Sequence, residues 1–430
     1  ATVRLSLPSD SQKEWARALQ VAPKDRVYID GDKIGPRWLA GDRDGVREYN
    51  AHDLEEARAI TRLLVGPYIG LAQGVPTLLD TLTRSGPSKA IDLLMVRGYL
   101  DAGEAVPRPA EKKGPFQGGL TGLHSIGLVK PVAKLDVSSM YPGIMLSRNI
   151  TPPGDTLGLF LGILQELRAL RLQHKTLAKQ APAGSRLQLY HDSFQGAVKI
   201  LINAFFGYLG TSFALFNGPD QAAEVTRTGR EILAVITGEL ETRGARLVES
   251  DTDGVYFSPP PGHADAPSIR QLADEIEVVV GNEVKLDTDG PWPAMFAIGR
   301  KNYALLMEDG AVTVKGSGLR GRSLEPVMER FLKESLTDLL NEDVISLRRR
   351  YVDLATKIRE GSVPVSELAL RKRLTRSTAE YAREHAVRQA EYELLIEKGR
   401  AGRAGDRVAI NRDEKGRATM RAVRAARDAR

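Results

Sequence analysis

Apolar positions along this chain switch between two periods, and the switches mark out its elements. Helical spacing runs from Asp53 to about Leu64, and again through Thr77-Leu-Leu-Asp-Thr-Leu and Ala90-Ile-Asp-Leu-Leu-Met. It returns over Leu159–Lys179, Gln188–Leu209, Ala222–Arg243 and Ile269–Leu286. Pro182 to Ser185 turns the chain between two of these runs, which predicts a protruding antiparallel helical hairpin. Strand-like stretches are Arg26-Val-Tyr-Ile-Asp30, Val129–Asp136, Ala245–Ser250, Gly254–Ser258, Ala294–Met307 and Ala311–Lys315. Pro107 to Gly114 reads as a linker and Thr151-Pro-Pro-Gly-Asp as a breaker. From about Leu324 onward the pattern is helix-rich and increasingly basic.

Two strand patterns end in acids. Val129–Asp136 runs into Asp136, and the arms on either side of Asp251-Thr-Asp253 form a hairpin with carboxylates at its tip. An Asp-Thr-Asp at a turn is ordinarily turn chemistry, because Asp side chains bond their own backbone. Asp136 alone is equally unspecific. Taken together, acids at the ends of neighbouring strands are what divalent ions require.

The segment between the acids is cationic. Arg171 and Lys175 share a helix face at i,i+4 spacing, as do Lys199 and Asn203. A solvated helix face accounts for either pair. Lys199, however, interrupts the apolar run Ala197-Val-Lys-Ile-Leu-Ile202, where a lysine would need an anionic partner. Cations on such a hairpin can clamp a triphosphate. Gly207 would then admit a flat base, and Tyr141 reads either as core or as a ring beneath the sugar.

Composition narrows the class. Hydrophobic residues at 42% and charged residues at 27% are those of a globular protein, and 430 residues suit two to four domains. No apolar run reaches the ~18 residues of a membrane span, and no basic–apolar–cleavage pattern opens the chain. The absence of cysteine excludes disulfides, thiolate zinc sites and thiol catalysis, and fits a reducing cytosol. The net charge of +6 is uneven: residues 371–430 hold 17 Lys/Arg against 9 Asp/Glu, leaving the rest slightly acidic. That terminal module reads as a clamp for a polyanion or as solvated charged helices.

The order of these segments resembles the polymerase portion of family B DNA polymerases. Asp136-Val-Ser-Ser-Met-Tyr-Pro-Gly-Ile is similar to the family's first palm motif, Asp-x-x-Ser-Leu-Tyr-Pro-Ser-Ile. Lys199-Ile-Leu-Ile-Asn203-Ala-Phe-Phe-Gly207 resembles the fingers motif Lys-x-x-x-Asn-Ser-x-Tyr-Gly, and Glu249-Ser-Asp251-Thr-Asp253-Gly resembles Tyr-Gly-Asp-Thr-Asp-Ser. Phe116-Gln-Gly118-Gly119 is similar to the Tyr-x-Gly-Gly linker, and Arg300-Lys301-Asn302-Tyr303 to the Lys-Lys-x-Tyr element. Lys315-Gly316 with Arg320 and Arg322 resembles the adjoining Lys-Gly…Arg-Arg stretch. Gly405-Asp-Arg-Val, preceded by His385-Ala-Val-Arg, resembles a motif at the end of the thumb. Departures are Ala204 for Ser, Phe206 for Tyr, Glu249-Ser250 for Tyr-Gly and Gly254 for Ser. None removes an acid.

The resemblance implies an α+β right hand with an antiparallel palm sheet, helical-hairpin fingers and a helical thumb. The expected division is an exonuclease-like remnant at 1–70, a helical connector at 71–115, palm at 116–153, fingers at 154–210, palm again at 211–323 and a basic thumb at 324–430. It implies template-directed addition of dNTPs to a primer 3′-hydroxyl by a two-metal mechanism using Mg2+, with Mn2+ as a substitute. Asp136, Val137 and Asp253 would hold the two ions, with Asp251 in support. Ser139, Met140, Tyr141, Arg171, Lys175, Lys199 and Asn203 would contact the nucleotide, Lys199 also protonating the pyrophosphate. Phe116, Gly118, Gly119, Lys301, Tyr303, Lys315, Arg320 and Arg322 would contact primer–template DNA. The location implied is cytoplasmic and nucleoid-associated, without a membrane, and a clamp or other accessory protein is left open. Tyr49-Asn-Ala-His-Asp53 resembles the third exonuclease motif, but no Asp-x-Glu strand precedes it, so residues 1–70 are expected to lack 3′–5′ proofreading. A non-catalytic DNA-binding module and a primer-independent synthase remain as alternatives.

Overall fold

The computed structural model describes residues 11–29, 31, 33–111, 114–281, 284–320, 324–383, 388–403, 405–412 and 418–419. The chain divides into two compact units, Ala1–Gly119 with Ser138–Glu231 and Leu120–Val137 with Ile232–Arg430. No described helix is long and apolar enough to cross a membrane.

The first unit is helical. Its elements are α1 (Gln12–Ala18), α2 (Ile34–Leu39), α3 (Arg43–Gly74), α4 (Leu79–Arg84), α5 (Pro87–Asp101), α6 (Met140–Ser147), α7 (Leu159–Gln180), α8 (Arg186–Leu209) and the first part of α9 (Pro219–Thr242). Side chains set several helix starts. Ser11, Asp42 and Ser185 accept the N–H groups of Glu14, Gly45 and Gln188, and Pro87 opens α5 where its missing N–H costs nothing. Asp155 caps α7 from the N–H groups of Leu159 at 3.1 Å and Phe160 at 2.8 Å. The α7–α8 hairpin is present as expected and closes on Phe160 and Phe205, whose rings lie 4.9 Å apart. The buried Tyr208 hydroxyl ties α8 to α5, donating to Asp92 at 2.6 Å.

One expected strand is absent here. Arg26–Ile29 joins no sheet. Its polar groups are satisfied by side chains of α3 instead: the Val27 N–H donates to His52 Nδ1 at 3.2 Å, and the buried Arg26 guanidinium pairs with Glu56 at 2.7 Å and with Asp53. The helix beneath is longer than its periodicity indicates, because Asp42 starts it ten residues early.

The second unit carries the sheets. β1 (Leu120–Leu123), β2 (Gly127–Val129), β3 (Val132–Val137), β4 (Arg246–Thr252), β5 (Gly254–Ser258), β6 (Leu286–Trp292), β7 (Ala294–Gly299), β8 (Asn302–Leu306) and β9 (Val312–Lys315) form two antiparallel sheets, ordered β1-β4-β5-β3-β6 and β2-β7-β8-β9. Helix α10 (Ala266–Val280) lies against β6, held by Glu277, whose carboxylate accepts the Leu286 N–H at 2.8 Å. Val129, Val132, Val248, Tyr256, Met295, Ala297, Tyr303 and Leu305 form one buried core that draws on both sheets.

Three expectations are corrected in this unit. The single strand over Val129–Asp136 is two, β2 and β3, which belong to different sheets. Pro131 lies between them and cannot donate to a ladder. The helix expected to reach Leu286 stops at Gly281, whose φ of +117° suits glycine, and Leu286 instead begins β6. The strand expected over Ala294–Met307 is a hairpin, because Lys301 takes a left-handed φ of +57° and turns the chain.

The C-terminal part is less purely helical than expected. After α11 (Ser317–Arg320), α12 (Pro326–Leu340) and α13 (Val344–Arg359), a small sheet of β10 (Leu370–Arg373), β11 (Arg407–Arg412) and β12 (Ala418–Thr419) packs with α14 (Thr378–Arg383) and α15 (Ala390–Glu397). Its core is Leu374, Tyr381, Tyr392, Leu395, Val408 and Ile410. Arg322 and His385 lie outside the described residues.

Candidate active site

Alternation along β3 decides which side chains meet. Ala133, Leu135 and Val137 are buried on one face, while Lys134 and Asp136, two apart, share the opposite, half-open face. On β5, Gly254 stands directly across from Asp136. The β4–β5 turn is tight: Thr252 has a left-handed φ of +62°, and the Asp253 N–H donates back to the Asp251 carbonyl at 2.6 Å. The Val137 N–H donates to the Asp253 carbonyl at 2.7 Å, which ties that turn to the end of β3. Asp136 and Asp253 are thereby brought together, from motifs more than a hundred residues apart.

The electrostatics of the pair reflect crowding. Burial, and then the neighbouring Asp136 charge, push the Asp253 carboxyl above the ordinary carboxylate range, with Lys134 opposing the shift. Lys134 Nζ lies 2.5 Å from Asp136 Oδ1. Asp251 takes a different partner, pairing with Lys301 Nζ at 2.8 Å. Lys301 is itself held by Glu249, a fully buried carboxylate that accepts the Lys301 N–H and whose second oxygen has no protein partner. Burial pushes the Glu249 carboxyl up, against that hydrogen bond.

Two hard carboxylates from adjacent strands, with mutual repulsion left over, fit a divalent cation that completes its shell with water or phosphate oxygens. No group of three His, Asp or Glu side chains arranged to hold an ion by themselves occurs among the described residues.

The expected nucleotide contacts lie in the first unit. Ser139 enters α6 with a left-handed φ of +51°, Met140 is buried, and the Tyr141 ring packs 4.3 Å from Phe206 of α8. Lys199, Asn203 and Gly207 are exposed and form a stripe at four-residue intervals along α8. The expectation that Lys199 needs an anion to offset burial is therefore corrected: Ala197, Val198, Leu201 and Ile202 face inward, while Lys199 and Ile200 face out. On α7, Lys175 is exposed, and the Arg171 Nε is buried with no protein partner.

Of the expected DNA contacts, Tyr303 is buried at 6% exposure and its hydroxyl bonds to that of Tyr256 at 2.7 Å. It is placed as core, and the side chains of that hairpin open to a ligand are Lys301 and, across from Tyr303 on β9, Lys315. Arg320 ends α11. Phe116 is partly exposed beside Gly210, and the carbonyls of Gln117 and Gly118 accept from Arg230 at 2.9 and 2.7 Å, which fixes the approach to Gly119. Lys134, beside Asp136, is not among the residues expected from the sequence. Its signal is the two-residue spacing from Asp136 within a strand.

A family model for DNA polymerase family B matches residues 153–425. The chain belongs to family B of the DNA polymerases. The match takes in Asp251 and Asp253 and begins after Asp136. Among similar proteins, the DNA polymerase of Archaeoglobus fulgidus is 27% identical over 382 residues, covering 82% of this chain and 47% of that protein. DNA polymerase 2 of Aeropyrum pernix is 26% identical over 405 residues, covering 87% of this chain and 49% of its own length. This family B chain thus spans about half the length of the curated relatives it matches. The solved family B DNA polymerase of Pyrobaculum calidifontis has the same α+β polymerase fold, with a TM-score of 0.68 at 22% identity, over 97% of this chain and 58% of that one.

Proposed function

We propose that this chain is a template-directed DNA polymerase that extends a primer 3′-hydroxyl with dNTPs at the Asp136–Asp253 pair. The observation that carries the reading is the convergence of these two residues at adjoining strand ends, where the Val137 N–H beside Asp136 donates to the Asp253 carbonyl at 2.7 Å. Two Mg2+ or Mn2+ ions bound there would supply the Lewis-acid chemistry of an in-line displacement at phosphorus. Asp136, Asp253 and the Val137 carbonyl would hold them. Asp251, paired with Lys301, stiffens the hairpin that presents Asp253.

The remaining residues hold the substrates. Lys199 and Asn203 on the exposed face of α8, with Arg171 and Lys175 of α7, grip the triphosphate, and Lys199 delivers a proton to the departing pyrophosphate. Ser139 and Met140 contact the triphosphate where α6 begins, and Tyr141 sits under the sugar. Phe116, Gly118 and Gly119, and on the other unit Lys301, Lys315, Arg320 and Arg322, follow primer–template backbone. Residues 1–70 are not a nuclease centre in this reading. Support comes from Arg26, which already neutralises Asp53 and Glu56, the acids a metal would need.

One assay tests the proposal: a 5′-labelled primer, with and without template, with dNTPs and Mg2+. Extension is expected only with template, Asp253→Ala is expected to lose it while still binding duplex, and single-stranded primer alone is expected to persist. Extension without template would assign a terminal synthase. Duplex binding by the wild type without extension would leave a non-catalytic module.

A further inference from the structure

Lys134 stands inside the carboxylate pair and has no part in the reading above. It shares a strand face with Asp136, its Nζ lies 2.5 Å from Asp136 Oδ1, and its side chain is 19% exposed. Its strand neighbours are Tyr256 on β5 and Asp289 on β6, and the ammonium is 5.7 Å from the Tyr256 ring centre. Burial works to strip its proton. The hydrogen bond and charge of Asp136, with the charges of Asp253 and Asp289 behind it, keep it above the ordinary lysine range.

The space for this lysine is made by Gly254. A Cβ on residue 254 would lie 2.5 Å from Asp136 Oδ1, 2.7 Å from Lys134 Cε and 3.0 Å from the Leu135 carbonyl oxygen. Gly254 has no left-handed φ that would call for glycine. Its lack of a side chain is explained by room and not by backbone conformation. The position is also where this chain departs from the Ser of the motif it resembles. The two observations describe one arrangement, a cation among acids and the absent side chain that leaves it room.

We propose that Lys134 is a positioning residue, a resident counter-ion that holds Asp136 and Asp253 together and that an incoming divalent cation must displace, with Gly254 giving it room. The inference rests on the polymerase reading for its purpose but not for its test. The ammonium satisfies the acids before any ion arrives, so it keeps their geometry and weakens metal binding at the same time. It does not touch substrate and transfers nothing.

The experiment is equilibrium binding of Mn2+ to the full chain, followed by electron paramagnetic resonance and calorimetry. Lys134→Met is expected to bind Mn2+ about tenfold more tightly or better, because one positive charge at contact distance has been removed. Lys134→Arg is expected to stay near the wild type. Lys134→Met is also expected to lose thermal stability in EDTA and to regain it in Mn2+. Unchanged or weaker Mn2+ affinity in Lys134→Met overturns the proposal. If that variant is unfolded by circular dichroism, the same titration of Lys134→Gln decides. Tighter Mn2+ binding in a chain whose wild type extends no primer would leave the counter-ion standing and remove the polymerase reading. Robust extension with Mn2+ affinity indifferent to residue 134 would do the reverse.

Discussion

Tyr141 packs its ring face against Phe206 at 4.3 Å, with Gly229 behind it: a Cβ on residue 229 would come within 3.2 Å of the tyrosine edge. In the proposed function this ring lies beneath the sugar, where it would act as a steric gate against a ribose 2′-hydroxyl. Tyr141→Ala is expected to raise the kcat/KM for ribonucleotides relative to deoxynucleotides by about tenfold or more. Single-nucleotide insertion kinetics measure this, and an unchanged ratio would remove the gate role. At this scale the sequence is legible where residue type and strand end coincide, as at Asp136 and Asp253. It misleads at Lys199, because apolar neighbours in sequence are not neighbours on a helix of 3.6 residues per turn. It is silent at Lys134, because a lysine at an alternate strand position is ordinarily just solvent-facing.

Elements depend on a few buried polar ties. Glu277 anchors α10 to the start of β6, the strand beside Asp136, accepting from the Leu286 N–H at 2.8 Å, Lys285 at 2.9 Å and Arg270 at 2.9 Å. Burial alone would raise this carboxyl, but the backbone N–H and the two cations outweigh it and hold it below the ordinary range. A depressed acid contributes stability that is present above its unfolded pKa and is lost as pH falls through the folded one. Glu277→Gln is therefore expected to destabilise the fold by about 1.5–3 kcal/mol at pH 7. Denaturant unfolding should show the gap to the wild type closing below about pH 4. The long helices, with many turns of periodic signal, are legible in the sequence, while the short α1, α2 and α6 are not. Boundaries between strands were not: the β7–β8 turn bends at a lysine held by Glu249, and neither residue type announces a turn.

For the whole molecule, charge is the property that residue types alone convey. The net charge is +6, with the excess in the last sixty residues. Contacts to phosphate release counterions, so affinity for duplex DNA is expected to be indifferent to sequence. It should fall by about a thousandfold between roughly 50 and 200 mM salt if six or more phosphates are held. Fluorescence anisotropy across a salt series checks this, and a flat response would count against a backbone grip. The fold class was legible from the order of motifs. The small sheet of β10, β11 and β12 was not, because its strands are short and arginine-rich and their register comes only from pairing across distant sequence.

The split at Pro131 has a mechanical consequence. β2 and β3 are consecutive in the chain yet belong to different sheets, and the Tyr256–Tyr303 hydroxyl bond joins those sheets a second time through a shared core. Lys301, at the β7–β8 turn, adds two further ties, its ammonium to Asp251 and its N–H to Glu249. Lys301 and Lys315, on the four-stranded sheet, are therefore tied to the strands that carry the acids by side-chain bonds and pairing as well as by the chain itself.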